Sequence, residues 1–206
     1  MRINRNVEAA LANQQLQKNL RSTLGKSVRM RNESVAEVPN WDELSQYARD
    51  VKLHTLSRLD HYLEMLEQKV KAQGGKVIWA ETGQEAVQFI VDLARQRKIG
   101  KLVKSKSMLS EEIHLNSMLE RAQIESIETD LGEYVVQLAG ETPSHLLAPA
   151  LHKSREEIAD LFVRELGMMP SGDVDEITAT SRRVLREHFL TARMGVTGVN
   201  FGVAET

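Results

Sequence analysis

The apolar positions of this chain change their spacing as it proceeds. At the N-terminus they fall at Ile3, Val7, Leu11, Leu16, Leu20 and Leu24. That spacing is roughly helical but is thinned by Asn13, Gln14 and Gln15, which predicts a helix that docks on something rather than folding alone. Residues 25–38 are polar and basic, lie between Gly25 and Pro39, and read as a connector. Asn40 with Glu43 resembles a capping box, and Leu56, Leu59, Leu63, Leu66 and Val70 recur at threes and fours, so one long helix is expected up to Gly74-Gly75. His54 and His61 would stand two turns apart on it, about 10 Å along the axis, too far to share a metal.

From Gly75 onward, short β-prone runs alternate with helical ones. Lys76–Ala80 (KVIWA), Lys101–Ser105 (KLVKS), Ile124–Ile127 and Tyr134–Leu138 are expected strands. Thr82 with Glu85, Ser110 with Glu111 and Glu112, Ser154 with Glu157, and Asp173 with Glu176 mark helix starts, the last two opening helices near 154–166 and 174–192. Strands separated by helices predict βαβ units and a parallel sheet, hence an α/β fold. The terminal Gly195–Thr206 (GVTGVNFGVAET) reads as a strand and turn that bring backbone close to a ligand. Nothing follows to pair or cover that strand, so the chain is expected to be a fragment of a larger protein, with an open sheet edge that would allow homo-oligomerisation or swapping.

With 206 residues, the chain has room for one sizeable α/β domain with a helical arm. A net charge of -2 provides no field for nucleic acid or an anionic membrane surface. The absence of cysteine excludes a disulfide framework, a thiolate nucleophile and a cysteine-bound iron–sulfur or zinc site within these residues. No apolar run reaches membrane-spanning length, and Arg2 and Arg5 are followed by no apolar signal core, so a cytoplasmic protein without a membrane partner is expected.

Four segments carry candidate chemistry. Lys104-Ser105-Lys106-Ser107 closes the second expected strand just before a helix, where open α/β sheets bind ligands and helix N-termini offer free N–H groups. It suits a carboxylate or phosphate; otherwise its serines only cap the helix. Glu128-Thr129-Asp130-Leu131-Gly132-Glu133 follows the third strand and holds three carboxylates that could supply a general base or bind a hydroxyl or cation, or simply form an acidic turn. Without histidine or cysteine at ligand spacing, no transition-metal site is expected there. Pro143-Ser144-His145 with Pro149, His152 and Lys153 is a stiffened loop presenting two imidazoles, each as readily bonded to local backbone as active in acid–base work. In the terminal segment Asn200, Glu205 and Thr206 are the polar candidates, and the segment is neither GxGxxG nor a P-loop. Arg182, Arg183 and Arg186 before it could help hold an anion, but a solvated face is the preferred reading.

The order of these segments is more specific than any one of them. KSKSMLSEEIHLNSMLE, then ETDLGEYVVQLAGETPSHLLAPALHKSREEIADLF, then GVTGVNFGVAET resembles the N-terminal part of the lactate utilization protein B family, across essentially the whole chain. The resemblance implies a helical N-terminal arm over 1–75 and a LUD-type α/β domain over 76–206, truncated at its C-terminal side. The LUD domain is similar in fold to the ribose-5-phosphate isomerase, glucosamine-phosphate deaminase and CoA-transferase group. The resemblance further implies a cytoplasmic system oxidising L-lactate to pyruvate with A-type and C-type partner subunits. It implies electron transfer through two [4Fe–4S] clusters, held by a cysteine-bearing C-terminal region that this sequence does not contain.

On this reading the chain is a component rather than a complete enzyme. Lys104, Lys106 and Ser107 would bind a small anion, and Glu133, His145, Asn200, Glu205 and Thr206 would line the cleft. Two other readings stay open. One is a stand-alone enzyme acting on a sugar phosphate or acyl-CoA, with Glu133 or Glu205 as base or nucleophile; the other is an assembly scaffold working through residues 3–70. A shared fold does not by itself choose among them.

Overall fold

The structure is a computed structural model and describes residues 7–8, 10–145 and 148–205. It divides into two compact units, one made of the chain up to Leu24 with Thr82–Gly198, the other of Gly25–Glu81 with Val199–Thr206. The described helices and strands are α1 (Gln14–Ala36), α2 (Trp41–Ser57), α3 (Leu59–Ala72), α4 (Gly83–Gln96), β1 (Lys101–Lys104), α5 (Met108–Glu112), α6 (Leu115–Arg121), β2 (Glu125–Glu128), α7 (Leu131–Ala139), α8 (Arg155–Leu166), α9 (Val174–Thr191) and β3 (Gly195–Val196).

The fold is α/β, as expected. Its sheet is parallel and ordered β2-β1-β3, with helices on both faces. One face is covered by Val87, Val91 and Ala94 of α4 and Leu115 and Leu119 of α6, packed with Leu102 of β1. The other meets Tyr134 of α7 and Leu185 of α9 through Ile127 and Val103. Beyond it, Val135, Ala159, Leu161, Phe162 and Ile177 knit α7, α8 and α9 together. The helix starts follow the sequence signals where a short polar side chain precedes the periodic run. Thr82 accepts from the Glu85 N–H, Asp173 from the Asp175 N–H, and Ser154 with Glu157 forms a reciprocal capping box.

Five expectations need correction. Tyr134–Leu138 is not a strand but the middle of α7. Asp130 accepts the N–H groups of Gly132 and Glu133 to start this helix, and Gly140 at φ 64 ends it. Tyr134, Val135 and Val136 are all buried because α7 lies between two clusters, so its apolar run hides the helical period. Lys76–Ala80 forms no strand: among the described residues it has no ladder partner, its Ile78 and Trp79 are exposed, and the Trp79 indole donates to Glu67 Oε2 at 3.3 Å. The expected connector is helical, since α1 runs through Gly25 to Ala36 on residues that favour helix.

The long helix after Asn40 is two helices. Its break at Arg58 follows two hydroxyls that bond back to the helix, Thr55 to the Val51 carbonyl and Ser57 to the His54 carbonyl. His54 therefore ends one helix and His61 begins the next, and both rings pack edge-on against Tyr62. Asn40 makes no side-chain cap bond. The terminal segment contributes only Gly195–Val196 to the sheet.

In the second unit, α2 and α3 carry no buried residue, and Lys52 lies over the Phe201 ring at 5.4 Å. No helix among the described residues is long and apolar enough to cross a membrane.

Candidate functional site

The site is built where β1 and β2 end. Their register sets KLVK against ESIE, with Lys101 opposite Glu125 and Lys104 opposite Glu128. Both pairs are bridged, at 3.0 Å and 2.9 Å, but only the second is buried, its side chains 1% and 4% exposed. Alternation along β1 places Lys104 on the same face as Leu102, so its ammonium turns inward. There it meets Glu128 Oε1 at 2.9 Å, Glu111 Oε1 at 3.0 Å and Ser110 Oγ at 3.1 Å. These acceptors match its three hydrogens. Burial works against that charge, but the bonds and attraction of Glu128, then of Glu111, outweigh it and raise the Lys104 pKa, so the ammonium is the firmly charged member of the pair.

Glu128 also accepts from Asn116 Nδ2 at 2.7 Å through Oε1. Among the described residues, its Oε2 is the buried side-chain oxygen with no hydrogen-bond partner. Desolvation therefore pushes the Glu128 carboxyl upward, against the pull of Lys104 and Asn116.

Lys106, two residues beyond Lys104, points to Glu133, with Nζ 2.5 Å from Oε1. Glu133 lies in the first turn of α7, held there by the Asp130 cap, and its side chain is 8% exposed against 23% for Lys106. Ser107 is the N-cap of α5, accepting from the Ser110 N–H at 3.3 Å. Gly198 passes so close that a Cβ there would stand 2.8 Å from Ser107 Oγ, so the terminal segment uses its glycine to approach this cap.

Glu111 and Glu133 line a cavity of about 430 Å³ together with Met108, Pro143, Ser144 and His145. The wall carrying His145 is tied down by local bonds. The Ser144 N–H and hydroxyl both donate to the Pro149 carbonyl, at 3.0 Å and 2.9 Å. His152 bridges Ser144 Oγ and Glu141 Oε2, and Lys153 reaches Glu141 Oε1 at 2.6 Å. The bond from Lys153, then that from His152, holds the Glu141 carboxyl below the usual range. His145 Nδ1 accepts the Ala148 N–H at 3.2 Å, so a neutral ring carries its proton on Nε2.

The structure thus gathers Lys104, Lys106, Ser107, Glu133 and His145 around the strand ends of the first unit. Asn200 and Glu205 belong to the second unit, where Glu205 lines a shallow groove with Tyr47, Asp50, Val51, His54 and Tyr62. Thr206 lies outside the described residues. Sequence reading missed Glu111 and Asn116 as members of the cluster. It also missed the signal available for Glu128: two strand ends, KLVK and ESIE, with complementary charges in register. Each lysine of the KSKS segment read as an anion ligand already faces a carboxylate, so the ionised group of Lys104, Lys106, Glu111, Glu128 and Glu133 carries one net negative charge.

A three-layered α/β domain with a polar cleft at its strand ends defines the class, and the LUD domain profile matches residues 63–206. The chain belongs to the LUD domain family. It is similar to the lactate utilization protein B of Bacillus thuringiensis (strain Al Hakam), Bacillus cereus (strain AH187) and Bacillus anthracis (strain A0248). Identity to each is 46% over 170 residues, 82% of this chain and 36% of the relative. The chain therefore spans little more than a third of the length of the curated relatives it matches. No solved structure matches it.

Proposed function

We propose that this chain is the LUD-bearing N-terminal part of a lactate utilization protein, serving a cytoplasmic complex that oxidises L-lactate to pyruvate. The observation that carries the reading is the 46% identity to lactate utilization protein B over 82% of the chain. In this reading residues 76–206 carry the ligand cleft and residues 1–75 meet the A-type and C-type subunits. The cleft between Lys106–Glu133 and His145 receives a small anion.

Electrons would pass through two [4Fe–4S] clusters elsewhere in the full-length protein. The clusters need thiolate ligands, and these 206 residues contain no cysteine. No residue here fits them, and no step of the chemistry in this cleft runs through them.

The test is genetic. Deleting the gene in its source organism should abolish growth on L-lactate while sparing growth on pyruvate, and the full-length gene should restore it. Undiminished growth of the deletion strain on L-lactate would overturn the assignment.

A further inference from the structure

The cleft contains an arrangement that neither the lactate reading nor an anion site accounts for. Glu111, Glu128 and Glu133 come from three different elements, yet one carboxylate oxygen of each lies within 4.8 Å of the others. Each uses Oε1 for an ammonium: Glu111 and Glu128 for Lys104, and Glu133 for Lys106. Each lysine holds one oxygen of its carboxylate partners. The second oxygen of Glu128, on a side chain 4% exposed, has no hydrogen bond. A buried carboxylate oxygen with no donor is costly and calls for an occupant. Glu111 and Glu133 also line the cavity of about 430 Å³, which gives an ion and its waters a route to these two carboxylates.

We propose that Glu111, Glu128 and Glu133 form a binding site for one hard divalent cation, Mg²⁺ or Mn²⁺. An all-carboxylate donor set favours these ions over zinc or copper, which prefer imidazole or thiolate. Three protein oxygens beside an open cleft suit an ion that keeps several of its waters. The charge balance points the same way. Three carboxylates against two ammoniums leave the group at one net negative charge, so the small anion proposed for this cleft would bind better once a cation is present. A divalent cation reverses that sign and presents open coordination positions to a carboxylate or hydroxyl oxygen. The site stands without the lactate reading, since it rests only on the carboxylates and their surroundings.

Mn²⁺ alone is the probe, titrated into the full chain and followed by loss of the free-ion electron paramagnetic resonance signal. One Mn²⁺ per chain is expected, competed by Mg²⁺. Glu111→Gln and Glu133→Gln, which change partly exposed or cleft-lining groups, should each weaken binding roughly tenfold or more. Lys106→Met, which removes a competing cation from Glu133, should tighten it. Circular dichroism melts identify a variant that fails to fold, and in that event the Mn²⁺-dependent rise in melting temperature of the unaltered chain, with its loss in the remaining variants, decides. No binding at millimolar Mn²⁺, or equal affinity in all the folded variants, overturns the proposal.

Discussion

Lys104 shows how one side chain can organise a site by holding its neighbours. Its ammonium is enclosed by Glu128, Glu111 and Ser110, so its charge serves to hold acids in place. Removing one member of a buried ion pair is far more damaging than never having had the pair, because the partner charge stays buried alone. Lys104→Met is therefore expected to lower stability by about 3–5 kcal/mol in urea denaturation, and adding Glu128→Gln should recover part of that loss. A Lys104→Met protein as stable as the unaltered chain would mean that the ammonium is not enclosed. The same argument bars the pair Lys104→Ala and Lys106→Ala as a clean probe of anion binding. Its first half strips Glu128 of its counter-charge, and any loss of binding would follow from damaged structure.

At the scale of elements, Gln137 gives β2 its finish. Its side-chain amide accepts the Glu128 N–H at 3.0 Å and donates to the Ser126 carbonyl at 2.7 Å, imitating the strand that is missing on that side. Edge strands left bare invite pairing with another chain. Gln137→Leu should lower stability by about 1–2 kcal/mol, from two backbone groups losing their partners. It should also produce concentration-dependent self-association in sedimentation velocity; a monomeric variant of unchanged stability would refute this role.

Gln137 also marks where the sequence stopped being informative. Helices announced by a polar cap and an even stripe were legible, as at Ser154 and Thr82, because those signals lie within one turn. α7 was not, because burial on two sides made Tyr134, Val135 and Val136 look like a strand. Lys76–Ala80 misled in the opposite sense: among the described residues its β-prone run has no neighbour to pair with. At the site, Lys104, Lys106, Glu133 and His145 stood out from their loops. What they bond to is set by strand register and by α5 folding back, long-range facts that no local pattern contains.

At the scale of the whole molecule, the two units differ in how much they bury. The first holds the packed clusters around Leu102, Phe162 and Ile127, whereas α2 and α3 of the second bury no side chain. Helix stability in proteins comes mainly from such burial, so protection should follow it. Hydrogen exchange followed by mass spectrometry should show peptides from α2 and α3 exchanging well before those from β1, α4 and α8. Equal protection in both would mean that the helices of the second unit are covered in solution.

Within the first unit, α4 and α6 end alike. Lys98 at φ 53 and Gln123 at φ 59 take the left-handed turn usually given to glycine, and the next residue, Ile99 or Ile124, bonds back to Ala94 or Leu119 and enters the core. Each of these joints directs the chain into a strand and closes over only five residues, whereas β1 must find β2 across more than twenty. Local closure is fast and distant pairing is slow. Both strands are therefore expected to be aimed before they meet, so that their search for each other starts from two segments already pointing the same way.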